Sequence, residues 1–248
     1  MRSRIKLREY LAILCAALAA GAPAAVRAQD YPSRPVMVVN TWAPGGPSDA
    51  IIRPLLEKFS QKFGQPFVLE NRSGANGSIG TSYVARSRND GYTLLFANVG
   101  PIAISPWLPD KPSYDSIKDF QPIGQIQSAF VSLGGALELI RAGKLKAIAV
   151  STQSRSSVLP DVPAVSETVP GFDFNVWYGL MAPAGTPRDV VQALADALKE
   201  AMAMPDIRNR LLASGLDPHP TGPAEFARKI EQDLAAWKQA VANANLTP

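Results

Sequence analysis

The pattern that most restricts how this 248-residue chain can fold is an alternation of short apolar runs with glycine-rich turns that open into helical periodicity. Val36-Met37-Val38-Val39 is a β-branched run suited to a buried strand. Ile52, Leu55, Leu56, Phe59 and Phe63 then recur at helical spacing. Gly64-Gln65-Pro66 stops that helix, and Phe67-Val68-Leu69 is a second strand, so the unit reads as βαβ with a right-handed crossover. A second glycine-rich stretch, Asn71-Arg72-Ser73-Gly74-Ala75-Asn76-Gly77-Ser78-Ile79-Gly80-Thr81, runs into a helical segment through Tyr83, Val84 and Ala85. Asn89-Asp90-Gly91 makes a turn before a third strand, Tyr92-Thr93-Leu94-Leu95-Phe96-Ala97. An α/β domain with a largely parallel sheet follows, and such sheets place ligands at the carboxyl ends of their strands, here near Asn98-Val99-Gly100-Pro101.

Trp42-Ala43-Pro44-Gly45-Gly46-Pro47-Ser48-Asp49 joins the first strand to the first helix. Glycines let backbone approach a ligand closely, and the unpaired N–H groups of a helix start, backed by the macrodipole, favour a carboxylate or phosphate. An anion cradle and an ordinary βα turn are both compatible with this spacing. Asp49 fits the structural part of either reading, because near a helix start it complements the dipole and can accept hydrogen bonds from loop N–H groups. The second loop has the pattern G-x-x-G-x-x-G. It lacks the G-x-G of dinucleotide sites and the Gly-Lys-Ser/Thr of a P-loop, which leaves a connector or a second ligand-facing helix start.

Residues 1–28 read as a cleavable secretory leader: Arg2, Arg4, Lys6 and Arg8, then an apolar run from Leu11 to Ala20, then Val26-Arg27-Ala28 before Gln29. That run is too short to span a bilayer, and no later stretch is long enough either, so a soluble, exported mature chain is expected. The leader holds five of the 25 basic residues and one of the 21 acids, leaving 20 of each sign, so the basic balance of the whole chain belongs to targeting. No basic stripe with interleaved aromatics argues for nucleic acid. The one cysteine, Cys15, leaves with the leader, so no disulfide or thiolate metal site is expected. The single histidine, His219, rules out a histidine-based triad or a multi-histidine metal site. Asp49, Glu70 and Asp90 do not converge by spacing on an acid/base pair. No enzyme activity, catalytic residue, metal or cofactor is expected.

Several motifs together resemble the Bug family, the periplasmic solute-binding receptors of tripartite tricarboxylate transporters. They are Pro35-Val36-Met37-Val38-Val39 leading to Ala43-Pro44-Gly45-Gly46-Pro47-Ser48-Asp49, then Glu70-Asn71-Arg72-Ser73-Gly74-Ala75-Asn76-Gly77-Ser78-Ile79-Gly80, and Asp90-Gly91-Tyr92-Thr93-Leu94-Leu95. Later matches are the run from Ile140 to Val150, Leu159-Pro160-Asp161-Val162-Pro163, Trp177-Tyr178-Gly179-Leu180-Met181-Ala182-Pro183-Ala184-Gly185-Thr186-Pro187 and a Glu225-Phe226 helix start. The resemblance implies a type II periplasmic binding protein-like α/β fold, with two lobes that each carry a mostly parallel sheet flanked by helices and close on a small carboxylate-bearing solute. It implies ligand contacts from Ala43, Pro44, Gly45, Gly46, Asp49, Gly77, Ile79, Gly80 and Asn98, through backbone N–H groups and ordered water. It also implies membrane components of a tripartite transporter as partners, and a monomer is expected.

One departure stands out. Asp119-Phe120-Gln121-Pro122-Ile123-Gly124-Gln125-Ile126 resembles the family's crossing strand into the second lobe, and Ala129-Phe130-Val131-Ser132-Leu133 resembles a late second-lobe strand. Gly124-Gln125-Ile126 serves both ends, so several dozen residues are inferred absent at the junction 124–128. The expected organisation is a first lobe over 29–122, a truncated second-lobe remnant over 123–172, and a return strand with C-terminal helices over 173–248. Impaired solute binding follows, and the alternative is a non-transporting exported remnant or protein-interaction domain.

Within the later chain, Leu133, Leu137 and Ile140 predict a short helix ending at Gly143, and residues 145–150 a buried strand. Thr186 is expected to cap a helix carrying Val190, Val191, Leu194, Leu198 and Met202. Phe226, Ile230, Leu234, Trp237 and Val241 define a C-terminal amphipathic helix, with Arg228, Lys229, Gln232, Asp233 and Lys238 on its solvated face.

Overall fold

The computed structural model describes residues 31–129, 133–214 and 216–244; the leader expected at 1–28 lies outside them. The described residues from Arg34 onward form one compact unit. Its framework is a six-stranded mixed sheet in the order β2-β1-β3-β5-β4-β6. The strands are β1 (Val36–Asn40), β2 (Phe67–Asn71), β3 (Thr93–Asn98), β4 (Phe120–Ala129), β5 (Val176–Pro183) and β6 (Asp217–Pro218). The helices are α1 (Pro47–Phe63), α2 (Ser78–Ala85), α3 (Leu133–Arg141), α4 (Arg188–Ala203), α5 (Pro205–Ala213) and α6 (Pro223–Asn243).

The first three strands form the expected crossover unit: β1 is parallel to β2 on one side and to β3 on the other. Helix α1 ends where the sequence indicates, at Gly64 with φ 65°, whose N–H donates to the Ser60 carbonyl. The other half of the sheet is antiparallel. β5 pairs with both β3 and β4, and β4 carries two register shifts, between Pro122 and Gly124 and between Gln125 and Gln127. Close packing fixes two glycines here. A Cβ on Gly124 would lie 2.6 Å from the Thr221 carbonyl oxygen, and one on Gly179 would lie 2.4 Å from Phe226. The expected lobe boundary at 122/123 therefore falls inside a strand of the main sheet.

Helix α6 docks its apolar side onto that sheet. Phe226 and Ile230 join Val39, Leu95, Trp177 and Met181 in one buried cluster, with Leu234 and Trp237 packed against it. Asp233 departs from expectation. Placed on the solvated face by its polarity, it is buried, because the Trp177 indole Nε1–H donates to its Oδ2 at 2.6 Å and Lys229 Nζ to its Oδ1 at 2.8 Å. Burial raises the Asp233 pKa, and the Lys229 ammonium and the indole pull it back only in part. Lys229 also reaches Asp173 at 3.3 Å, tying α6 to the chain just before β5.

Between α3 and β5 the sequence reading fails at one element. α3 closes as predicted, with Gly143 at φ 70° donating to the Ile140 carbonyl. Residues 145–150 form no strand. Only Val150 makes a bridge, to Ala164, while Leu145 is 48 % exposed and Ile148 82 %. A strand needs a neighbour to take its backbone hydrogen bonds, and none is beside this run among the described residues. Thr186 likewise does not cap α4; its hydroxyl donates back to the Pro183 carbonyl at 2.7 Å.

Candidate functional site

The candidate site is built from loops at the carboxyl ends of β1 and β3 and at the start of α2. Its foundation is a pair of asparagines at strand ends. Asn40 is fully buried: its Nδ2 donates to Asp49 Oδ1 at 2.9 Å and to Ser48 Oγ at 3.0 Å, while its Oδ1 accepts from the Trp42 N–H at 3.3 Å. Asn71 donates to the same Asp49 oxygen and to the Trp42 carbonyl, both at 3.0 Å. The other Asp49 oxygen accepts from the Gly45 N–H at 3.1 Å and from Arg53 at 2.9 and 3.3 Å.

Burial pushes the Asp49 carboxyl up, but the hydrogen bonds from Asn71, Gly45, Arg53 and Asn40 outweigh it and hold the pKa at about 2. Asp49 is therefore a buried anchor that is ionised at neutral pH. Both of its oxygens are committed inside the protein, so it sets the shape of the loop and does not face a ligand.

Gly45, at φ 82°, needs the left-handed backbone region, and this conformation turns its N–H inward to Asp49. Gly46 is the extended N-cap residue of α1 and carries no such requirement. Among the described residues the backbone N–H groups of Ala43 and Gly46 donate to no protein acceptor. Ala43, Pro44 and Gly45 are exposed. Two unpaired amides at the head of a 17-residue helix are what an anion cradle requires.

Buried Thr41 is where the loops meet. Asn98 Nδ2 donates to its Oγ1 at 3.1 Å, and Asn98 Oδ1 accepts from the Gly100 N–H at 3.0 Å, so both ends of that amide are engaged. A Cβ on Gly77 would lie 3.1 Å from Thr41 and from Pro101. One on Gly80 would lie 2.7 Å from the Arg72 carbonyl oxygen and 3.2 Å from Thr41. These two glycines let α2 approach the cradle. The loop before them is strained, because Ala75 and Asn76 both take positive φ, 45° and 51°, between the positive-φ glycines Gly74 and Gly77.

The structure thus gathers Ala43, Pro44, Gly45, Gly46 and Asp49 in one loop and brings Gly77, Gly80 and Asn98 against it. Ile79 is 55 % exposed and lines a groove along α2 with Tyr83 and Arg86. Asn40, Thr41 and Asn71 are structural members of the site that spacing did not single out. Polar residues at the ends of two adjacent apolar strands were the available signal. Among the described residues no group of three or more His, Cys, Asp or Glu could hold a metal ion.

A sequence profile described as tripartite tricarboxylate transporter family receptor matches residues 51–133 and 123–246. This chain belongs to that family. The two matches overlap at 123–133, the stretch that contains the junction expected at 124–128. A UPF0065 protein of Bordetella bronchiseptica is 26 % identical over 307 aligned positions, covering 93 % of this receptor and 91 % of the relative. That span exceeds the 248 residues of this chain, so the relative has a segment for which this receptor has no counterpart.

Solved structures agree on the fold. A structure described as a periplasmic transporter is 30 % identical with a TM-score of 0.74, covering 88 % of this receptor and 99 % of that chain. The periplasmic binding protein BugD is 25 % identical with the same TM-score and coverages. An R. palustris protein with adipate, 23 % identical at a TM-score of 0.76 and covering 88 % of this receptor and 100 % of that chain, shares the fold. Members of the family are solute-binding receptors, not enzymes. No helix among the described residues is long and apolar enough to cross a membrane.

Proposed function

We propose that this receptor is exported to the periplasm by its cleaved leader and binds a small carboxylate-bearing solute through one intact half-site, with impaired affinity because the opposing half-site is incomplete. The observation that carries the reading is the Asp49 anchor. It holds the 41–46 loop in a shape that leaves the Ala43 and Gly46 amides without a protein acceptor at the N-terminus of α1.

The proposed contacts are Ala43, Pro44, Gly45 and Gly46, then Gly77 and Gly80, with Asn98, Asp49 and Ile79 shaping the surroundings. The class of solute follows from donors without a fixed cation, which suit a carboxylate reached through backbone N–H groups and water. Adipate in a structure of the same fold is a solute of that chemistry. The double match at 123–133 supports loss of second-lobe residues, the remnant being 123–172. Each missing charge-assisted hydrogen bond is worth about 1.5–3 kcal/mol, so loss of one weakens binding by about tenfold or more. The monomeric state and delivery to membrane components of a tripartite transporter complete this reading.

A non-transporting remnant is the second reading, favoured by the exposure of the apolar side chains Leu145 and Ile148 within the expected second-lobe remnant. Thermal unfolding of the mature protein against small mono-, di- and tricarboxylates separates the two. The receptor reading expects concentration-dependent stabilisation at millimolar solute that disappears in Gly45→Val. A flat response from a folded protein leaves the remnant, and submicromolar affinity overturns the impaired half-site.

A further inference from the structure

A concavity rich in cationic side chains lies away from the cradle. A groove of about 1000 Å³ runs beside α2, from Ser78 to the opposite end of the sheet, and is lined by four cations, Arg34, Arg86, Arg88 and Lys111, and a single carboxylate, Asp90. That carboxylate is already answered. Arg34 reaches it at 3.1 Å, Arg88 at 3.3 Å, and the Tyr92 N–H donates to its other oxygen at 3.1 Å. Arg34 is fixed in place by stacking 3.8 Å over the Tyr92 ring.

Neither Arg86 nor Lys111 pairs with a carboxylate among the described residues. The Arg86 guanidinium donates at 2.7 Å to the Ser113 hydroxyl, which lies 3.3 Å from Ser82 Oγ. A guanidinium held by a neutral hydroxyl keeps its full charge and its remaining N–H donors for something else. The surplus is local, since the chain after the leader holds equal numbers of acids and bases.

We propose that this end of the groove is a second anion site, separate from the solute cradle, taking a small multi-oxygen anion of the phosphate or polycarboxylate class. Arg86 and Lys111 supply the charge, and Ser82 and Ser113 supply hydroxyl donors. The geometry favours several oxygens at once, because the guanidinium is planar and forked while the hydroxyls sit beside it. A bound anion would lie along α2, whose first turn also abuts the cradle.

The test is calorimetric titration of the folded mature protein at low ionic strength with inorganic phosphate in one arm and citrate in the other, backed by amide chemical-shift mapping. Saturable binding of either anion is expected, with shifts at Ser82, Arg86 and Ser113, and the tighter arm identifies the source chemistry. The double variant Arg86→Ser with Lys111→Ser should bind at least about tenfold more weakly. Arg208→Ser, an exposed charge on α5, should bind as the parent does. Absence of saturation in both arms, parental affinity in the double variant, or shifts confined to Ala43 and Gly46 would overturn the proposal.

Discussion

Replacing Asp49 by Asn tests the anchor directly. The carboxyl moves from an ordinary 3.8 to about 2 on folding, which corresponds to about 2–3 kcal/mol at neutral pH. Little discount for solvent applies, because the Asp49 side chain is only 8 % exposed; the share carried by Arg53, 55 % exposed, is the part that salt would screen. The sign follows from the direction. A folded pKa below the unfolded one gives stability that is complete above about pH 5 and is lost as pH falls through 4 towards 2, leaving about 1 kcal/mol at pH 3. The variant also turns an amide donor towards either the Gly45 N–H or the Asn40 and Asn71 amides, which cannot all be accommodated. Urea unfolding followed by circular dichroism should show the variant at least about 2 kcal/mol less stable at pH 7, with the gap narrowing by about half by pH 3. Equal stability at pH 7, or a gap that stays constant on acidification, would refute the anchor.

Other consequences are open to the same measurement. Gly80→Ala should cost about 1–3 kcal/mol, because its Cβ meets the Arg72 carbonyl at 2.7 Å, whereas Gly46→Ala should cost under about 1 kcal/mol. Trp177→Phe removes the indole donor from buried Asp233 and should cost about 1–3 kcal/mol in urea unfolding. The raised Asp233 pKa means that the folded state holds this proton to higher pH than the unfolded chain, so its contribution to stability declines as pH rises from the ordinary carboxylate range towards the raised value. Asp233→Asn should abolish that decline, and an unchanged pH slope between variant and parent would count against it.

The sequence was most informative where structure is local. Strand, glycine turn and helix follow one another within residues 36–63, so periodicity and the Gly64 stop were enough to place β1 and α1. Docking of α6 was visible for the same reason, as its apolar stripe lies on one element. What stayed hidden depends on partners distant in sequence. Asp233 reads as a surface residue until Trp177, 56 positions earlier, supplies its donor. Asn71 reads as a loop polar residue until it meets Asp49 across β1. Residues 145–150 have strand chemistry, but propensity cannot supply the neighbouring strand. Ile79 sat in the right motif, yet helical rotation carries its side chain to the groove.

The anchoring of the cradle separates persistence from use. Asn40, Asn71, Asp49 and the Gly45 amide satisfy one another within a single crossover unit, so the loop reaches its shape during folding with no help from a solute or from a second lobe. Solute affinity and loop stability therefore rest on different groups, the unpaired Ala43 and Gly46 amides for the one and the Asp49 network for the other, and each can be altered by substitution without the other.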